Sequence, residues 1–266
     1  ALKVVAALKK RPPIHIKIDT GMHRQGFLPP QTQQLIRIIK LHKLAPQGIY
    51  THLASAKDPR DPRYTNTQLS LFGDVTSEFE KAGIRNMIRH AAASGGTLLF
   101  PESHLDMVRI GMGLYGYWPS EEAKSQKRKA KSIRLKPVLT WKTVVSEVKN
   151  IPKGSYVGYD GTERVKKNTA IAILPIGYWH GYDRRLSSMG VVLIRGRQAR
   201  VLGRISMDMT VVDVTGISRI KVGDIAVLIG RQEKQAVWVD ELAEKISTTQ
   251  YEFLTRINPL IKRIKV

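Results

Sequence analysis

The stretch "HIKIDTGMHRQGF", His15 to Phe27, decides how the first half of the chain is read. From Ile14 to Asp19 apolar and polar residues alternate, as along a half-buried strand. Lys17 lies inside that strand and Asp19 at its end, and the chain then opens into Thr20-Gly21-Met22-His23-Arg24. A charge inside a strand is costly unless it is paired or solvated. Either the strand is an exposed edge, or its charges act at the strand's end.

Working outward, strand-like and helix-like segments alternate through the first 118 residues. "PPQTQQLIRIIKLHK" puts Leu35, Ile38, Ile39 and Leu41 near helical spacing behind a proline start. "APQGIYTHLA" reads as a strand ending near His52. "YTNTQLSLFGDVTSEFEKAG" sets Leu69, Phe72, Val75 and Phe79 on one helix face, with Thr65 or Asn66 as cap and Gly83 as stop. "IRNMIRHAAAS" is a third strand, ending at His90 to Ser94, and "LDMVRIGMGLYG" a fourth that bears glycines. This alternation predicts βαβ units and a parallel sheet. Beyond a basic linker the pattern changes to short strands separated by Gly, Asp-Gly and Pro turns, closed by the helix "VDELAEKIS" and a strand-like tail. The predicted class is α/β plus β, in two domains, 1–132 and 133–266.

The chain has 266 residues, 42% hydrophobic and 25% charged, ordinary proportions for a chain with a core. No apolar run is long enough to span a membrane. "ALKVVAALKKRPP" reads as the tail of a helix, not a signal peptide. The chain begins with Ala1, not Met, which fits processing or derivation from something longer. With no cysteine, disulfides, thiolate nucleophiles and Cys-ligated metals are excluded, which fits a cytoplasmic protein. Lys+Arg number 44 against 22 Asp+Glu, a net charge of +22. Such an excess points to an anionic partner. Its densest part, residues 123–136, reads rather as a solvated linker, because no aromatics interleave with the lysines as a single-strand platform needs.

In a parallel β/α barrel the active site lies at the C-terminal strand ends. Lys17 to Arg24, His52, Ser94, and Arg109 to Gly111 all fall there, and four such coincidences predict a barrel mouth. Gly111 and Gly113 in "VRIGMG" offer bare backbone N–H groups. With Ser94 and Arg109 nearby they suit a phosphate-bearing cofactor. The β segment adds Tyr159, Tyr178, Tyr182 and Tyr251. A buried tyrosine beside a cation can have its pKa lowered enough to act as a base. "RISMDM" presents Met207 and Asp208 at a strand end.

Nine collinear motifs together carry a resemblance: "HIKIDTGMHRQGF", "GIYTHLASA", "RHAAAS", "DMVRIGMGLYG", "VGYDGT", "PIGYWHGYDRRLS", "GRISMDMTVVDVT", "VGDIAVLIG" and "TQYEFLTRINP". From about residue 12 to the end, the sequence closely resembles alanine racemases. The resemblance implies a pyridoxal 5'-phosphate (PLP) enzyme that interconverts L- and D-alanine by a two-base mechanism, supplying D-alanine for peptidoglycan. It implies a TIM-type β/α barrel followed by a mostly-β domain, in a homodimer whose sites borrow residues from the partner's C-terminal domain. Tyr159 matches the catalytic tyrosine, with His52 and Arg109 biasing its ionisation. Arg109 also matches the arginine facing the pyridine nitrogen. Ser94, Gly111, Met112 and Tyr251 match phosphate-binding positions. Arg24, Met207, Asp208 and Tyr178 match the substrate side, and Lys17 the lysine often carboxylated, whose anionic form can hold Arg24. No metal is implied.

Two departures stand out. Ala93 replaces the asparagine usual beside Ser94. The family's Schiff-base lysine lies on the first barrel strand, before the point where this chain begins. The chain is therefore expected to be the second half of the barrel plus the β domain, and to need an N-terminal half for that lysine. Two other readings stand beside this one: a broader amino-acid racemase of the same fold, and a non-catalytic basic half-barrel that binds nucleic acid. The five site residues Tyr159, Arg24, Arg109, His52 and Met207 weigh against the last.

Overall fold

The structure, a computed structural model, describes residues 2–125 and 133–265. It divides into two compact units, 1–136 and 137–266. The expected boundary near residue 132, and 126–132 of the basic stretch, lie outside the described residues.

The first unit runs α1 (Leu2–Ala7), β1 (His15–Lys17), α2 (Thr32–Leu41), β2 (Gly48–Tyr50), α3 (Arg63–Lys81), β3 (Ile88–His90), α4 (Ser94–Leu99) and α5 (Glu121–Ser125). β1, β2 and β3 pair side by side and parallel, with His15 beside Gly48 and Tyr50 beside His90. Parallel neighbours need long crossovers, and α2 and α3 supply them. Their apolar stripes, Leu35, Ile36 and Ile39 with Phe72, Val75 and Phe79, close a core with Ile16, Ile18 and Ile49 of the sheet. Leu41 falls off the α2 stripe and is 77% exposed. Leu44 takes its place, because Lys43 turns left-handed (φ 47°) and lets the Leu44 N–H bond back to Ile39.

α3 ends as its glycine predicts. Gly83, at φ +83°, donates to the Glu80 carbonyl and Ile84 to that of Phe79, the paired bonds of a left-handed helix stop. Its start corrects the sequence reading. Neither Thr65 nor Asn66 is the cap: the helix begins at Arg63, whose N–H donates to the Asp61 carboxylate at 3.2 Å. Thr65 and Gln68 instead face the core.

The fourth predicted strand does not form. Only one parallel bridge, Ala93 with Arg109, continues the sheet. Gly111 leaves extended geometry (φ −115°, ψ −82°), and Met112–Tyr115 wind into a 3₁₀ turn.

The second unit holds β4 (Trp141–Val144), β5 (Glu147–Ile151), β6 (Tyr156–Val157), β7 (Glu163–Arg164), β8 (Thr169–Leu174), β9 (Val191–Ile194), β10 (Arg197–Arg200), β11 (Thr210–Asp213), β12 (Ile225–Gln232) and β13 (Gln235–Val237). α6 (Val239–Lys245) and α7 (Gln250–Thr255) follow. All the strand pairs are antiparallel: β10-β9-β12-β13 with β4 also on β12, β11-β8-β5, and the hairpin β6-β7. The long apolar run of β12 is buried from Ala226 to Gly230 because neighbours flank it. The strand-like tail is a third correction: residues 256–265 form no strand.

Candidate active site

Lys17 ends β1, Asp19 and His52 lie just past β1 and β2, Ser94 follows β3, and Arg109 sits on the segment that forms no strand but bridges Ala93. After β1 the chain turns around Asp19, which is 5% exposed. Its carboxylate accepts the N–H groups of Gly21 (3.1 Å), His23 (2.9 Å) and Arg24 (3.0 Å). Burial alone raises a carboxyl pKa, but these three bonds outweigh it and hold Asp19 below the ordinary range. The carboxylate thus fixes the backbone that presents Arg24, whose side chain is exposed. Lys17 points its ammonium at the Tyr50 ring, 5.8 Å from its centroid. Burial lowers its pKa, and the positive charges of Arg24 and Arg109 lower it further.

Arg109 is the hub. Its Nη2 donates to the carbonyls of Thr51 (2.9 Å) and Ala91 (3.1 Å) and reaches His52 Nδ1 at 3.3 Å. Its Nη1 lies 2.7 Å from His90 Nδ1, and the guanidinium sits 5.1 Å over the Tyr50 ring. A guanidinium only donates, so both histidine Nδ1 atoms accept. Burial lowers the pKa of His52, and the cations Arg109, Arg24 and Lys17 add to that. His52 is therefore a neutral imidazole whose proton sits on Nε2.

His90 is 3% exposed. Burial, then Arg109 and His15, push its pKa down from 6.5 to about 4. Below pH 6.5 the unfolded chain takes up a proton that the folded imidazole refuses until about pH 4. The stability contribution is whole above pH 6.5 and is lost as pH falls through that window, by about 2 kcal/mol with screening allowed for. Urea titrations at several pH values should show this slope in the wild type and a shallower one in His90→Asn.

Ser94, 4% exposed, starts α4. Its Oγ accepts from the N–H groups of Gly111 and Gly113, each at 3.1 Å, so the two N–H groups expected to be bare are already engaged, and the donor left over is the Ser94 O–H. A side chain at Gly111 would meet nothing within 4 Å, so the loop is open there. The Met112 side chain is buried at 5%.

In the second unit Tyr159 opens a 3₁₀ turn between β6 and β7. The next residue, Asp160, turns left-handed (φ 61°) and pairs with Arg204. Tyr178 and Trp179 donate backbone bonds to the Ser206 (3.0 Å) and Met207 (2.9 Å) carbonyls. These two loops therefore move as one. Gly177 makes the approach feasible: a Cβ there would lie 2.2 Å from the Ser206 oxygen and 2.6 Å from that of Met207. Backbone oxygens cannot yield as side chains do. Gly177→Ala is expected to cost about 1–3 kcal/mol, read as a lower Tm, and to loosen the loop carrying Met207.

The tyrosines divide differently from the sequence reading. Tyr182 is fully buried against Trp141, and among the described residues its hydroxyl has no hydrogen-bond partner. Burial pushes its phenol far up, so it is a packing residue. Tyr159, by contrast, is 64% exposed, and Tyr178 and Met207 are exposed with it. Asp208 is also exposed. Tyr251, on α7, is half-buried, which raises its pKa.

Sequence reasoning missed Gln68. From α3 it accepts the Ala54 N–H (2.8 Å) and donates to the His52 carbonyl (3.2 Å) and Thr20 Oγ1 (3.4 Å). The signal was a polar residue on the apolar stripe of a helix, which buries it among strand ends.

Two family models divide the chain in step with these units: the alanine racemase N-terminal domain matches residues 1–119, and the alanine racemase C-terminal domain residues 138–265. An alanine racemase of Leptospira interrogans is 39% identical over 266 residues, 99% of this chain and 68% of the relative. The chain belongs to the alanine racemase family. A solved alanine racemase of Bacillus anthracis with bound L-Ala-P superposes with a TM-score of 0.85 at 29% identity, covering 97% of this chain and 66% of that one. One of Bartonella henselae with covalently bound pyridoxal phosphate gives 0.83 at 28%, covering 100% and 69%. The chain thus spans about two thirds of the length of these racemases. Its fold is that of the family, an N-terminal barrel domain and a C-terminal β domain. Among the described residues no helix is long and apolar enough to cross a membrane, and no cluster of His, Asp or Glu suits a metal.

Proposed function

We propose that the protein to which this chain belongs is an alanine racemase using PLP, and that the three parallel strands are part of its β/α barrel. The supporting observation is Arg109, a guanidinium held by Thr51, Ala91, His90 and His52 beside the Ser94–Gly111 loop. That loop fits a phosphate: one hydroxyl with its proton to give, and open space beside a bare backbone. Ser94 through its hydroxyl and Met112 through its backbone would hold the phosphate, Gly111 would leave it room, and Arg109 would face the pyridine nitrogen. When bound, PLP supplies the electron sink for a substrate carbanion.

Arg109 stays protonated, so it leaves the pyridine nitrogen without a proton and restrains that sink. Arg24 binds carboxylate or cofactor oxygen from the loop that Asp19 fixes. Lys17 has a depressed pKa among cations, which favours the free amine. That amine reacts with CO₂ to give a carbamate and a released proton, an anion placed to pair with Arg24. Tyr159 carries a proton to or from the substrate's α-carbon. His52 is neutral with its proton on Nε2, so it can donate one hydrogen bond at the mouth of the parallel strands. Met207, Asp208 and Tyr178 line the substrate side. The exposure of Tyr159, Tyr178 and Met207 supports a homodimer in which the C-terminal domain of one copy serves the other's site. The absence of cysteine supports a cytoplasmic setting.

The test is to incubate the PLP-loaded protein with L-alanine in D₂O and follow D-alanine by chiral chromatography and α-deuterium by mass. PLP-dependent D-alanine with deuterium at the α-carbon is expected. Neither product nor exchange would overturn the reading.

A further inference from the structure

His15 and Gly48 have no part in the reading above, yet they form one feature. They open β1 and β2 and face each other in the parallel ladder. The His15 imidazole lies over the bare Gly48 backbone: a Cβ at position 48 would stand 2.3 Å from His15 Nδ1 and 2.5 Å from Cε1. Gly48 has no left-handed backbone to serve, so what the glycine provides is room for this ring.

The room matters for what the ring touches. His15 Nδ1 lies 2.8 Å from His90 Nε2. The other nitrogen of His90 accepts from Arg109, so the single proton of neutral His90 sits on Nε2 and is donated to His15. Tyr50 stacks on His90 with centroids 4.8 Å apart and planes 4° from parallel. Stacking fixes the plane of the His90 ring. It does not fix which edge faces Arg109, since a half-turn about Cβ–Cγ returns the ring to the same plane. Only the bonds at its two nitrogens distinguish the edges.

We propose that His15, seated on Gly48, is a positioning residue for the cofactor site: by accepting the Nε2 proton of His90 it keeps the Nδ1 edge of His90 on Arg109. For catalysis this rests on the reading of Arg109 as the group facing the pyridine nitrogen. What position 15 must supply is an acceptor at the place of Nδ1. Asparagine puts its Oδ1 there, phenylalanine keeps a ring without an acceptor, and Gly48→Ala leaves His15 in the chain but removes its seat.

The experiment is long-range ¹H–¹⁵N NMR of the histidine rings in the protein without cofactor, with hydrogen exchange of the Arg109 guanidinium. Wild type and His15→Asn should show one His90 tautomer, with its proton on Nε2. His15→Phe and Gly48→Ala should show a second set of His90 signals. Arg109 exchange in them should be about three- to tenfold faster, the equivalent of one lost neutral hydrogen bond. Wild-type His90 and Arg109 signals in His15→Phe would overturn the proposal, whatever the protein's activity. The absorption of PLP added afterwards separates the two readings. If the NMR changes occur and the cofactor band does not move, His15 keeps its positioning role and the reading of Arg109 falls.

Discussion

Tyr159→Phe is expected to lower racemisation by about 10²–10⁴-fold in both directions, the usual worth of a positioned proton carrier. The substitution removes one oxygen from a side chain that is 64% exposed, so the fold and the phosphate loop in the other unit should be untouched. PLP binding should therefore be unchanged. The informative measurement is solvent exchange on each enantiomer. A two-base enzyme that has lost one base still handles the other face. Deuterium from D₂O should therefore enter the α-carbon of one enantiomer at near the wild-type rate and nearly cease to enter the other. Wild-type exchange on both faces would remove Tyr159 from the mechanism.

Arg109→Glu should have the second large effect, on two readouts at once. A carboxylate cannot donate, so Thr51 and Ala91 lose a partner for their carbonyls and His90 for its Nδ1. Leaving such groups unsatisfied costs about 1–3 kcal/mol each where they stay buried, so the urea midpoint should fall markedly. The electronic effect is separate. A carboxylate facing the pyridine nitrogen favours its protonation, which strengthens the electron sink and with it side reactions of the carbanion. Loaded protein should show an altered cofactor absorption and more by-product per racemisation event. Arg109→Lys is the control. It keeps the charge but not the planar fork that spans several acceptors, so it should retain the wild-type band and still lose stability. An unchanged band in the glutamate variant would count against Arg109 as the residue at that nitrogen.

Much of this site was legible in the sequence because parallel strands put their C-terminal ends on one side. Once β1 and β2 were placed, Lys17, Arg24 and His52 had to share a mouth, and the position of Ser94 followed from β3. The opening question about Lys17 is answered in part. It is half-buried at a strand end with its ammonium against Tyr50, and the cations around it disfavour its charge. What could not be read was bonding across elements. Nothing in "RHAAAS" states that His90 sits between His15 and Arg109, because that depends on register: Tyr50 lies beside His90, and His15 beside Gly48. The fourth strand failed for a local reason. An apolar run containing Gly111, Gly113 and Gly116 scores as a strand, but Gly111 leaves extended geometry and a 3₁₀ turn follows. The Thr65 cap failed because Asp61 lies two residues before the first helical residue and reaches its N–H.

The three bonds that converge on Asp19 have a consequence for how the molecule comes apart. A loop with no ladder or helix of its own ordinarily opens first, long before the layer it hangs from. Here Gly21, His23 and Arg24 are tied to a buried carboxylate just past the end of β1. These amides are protected as long as β1 stays on its sheet. The loop therefore belongs to the same cooperative unfolding unit as the strand before it. Exchange of the Arg24 backbone amide is therefore expected to follow that of β1.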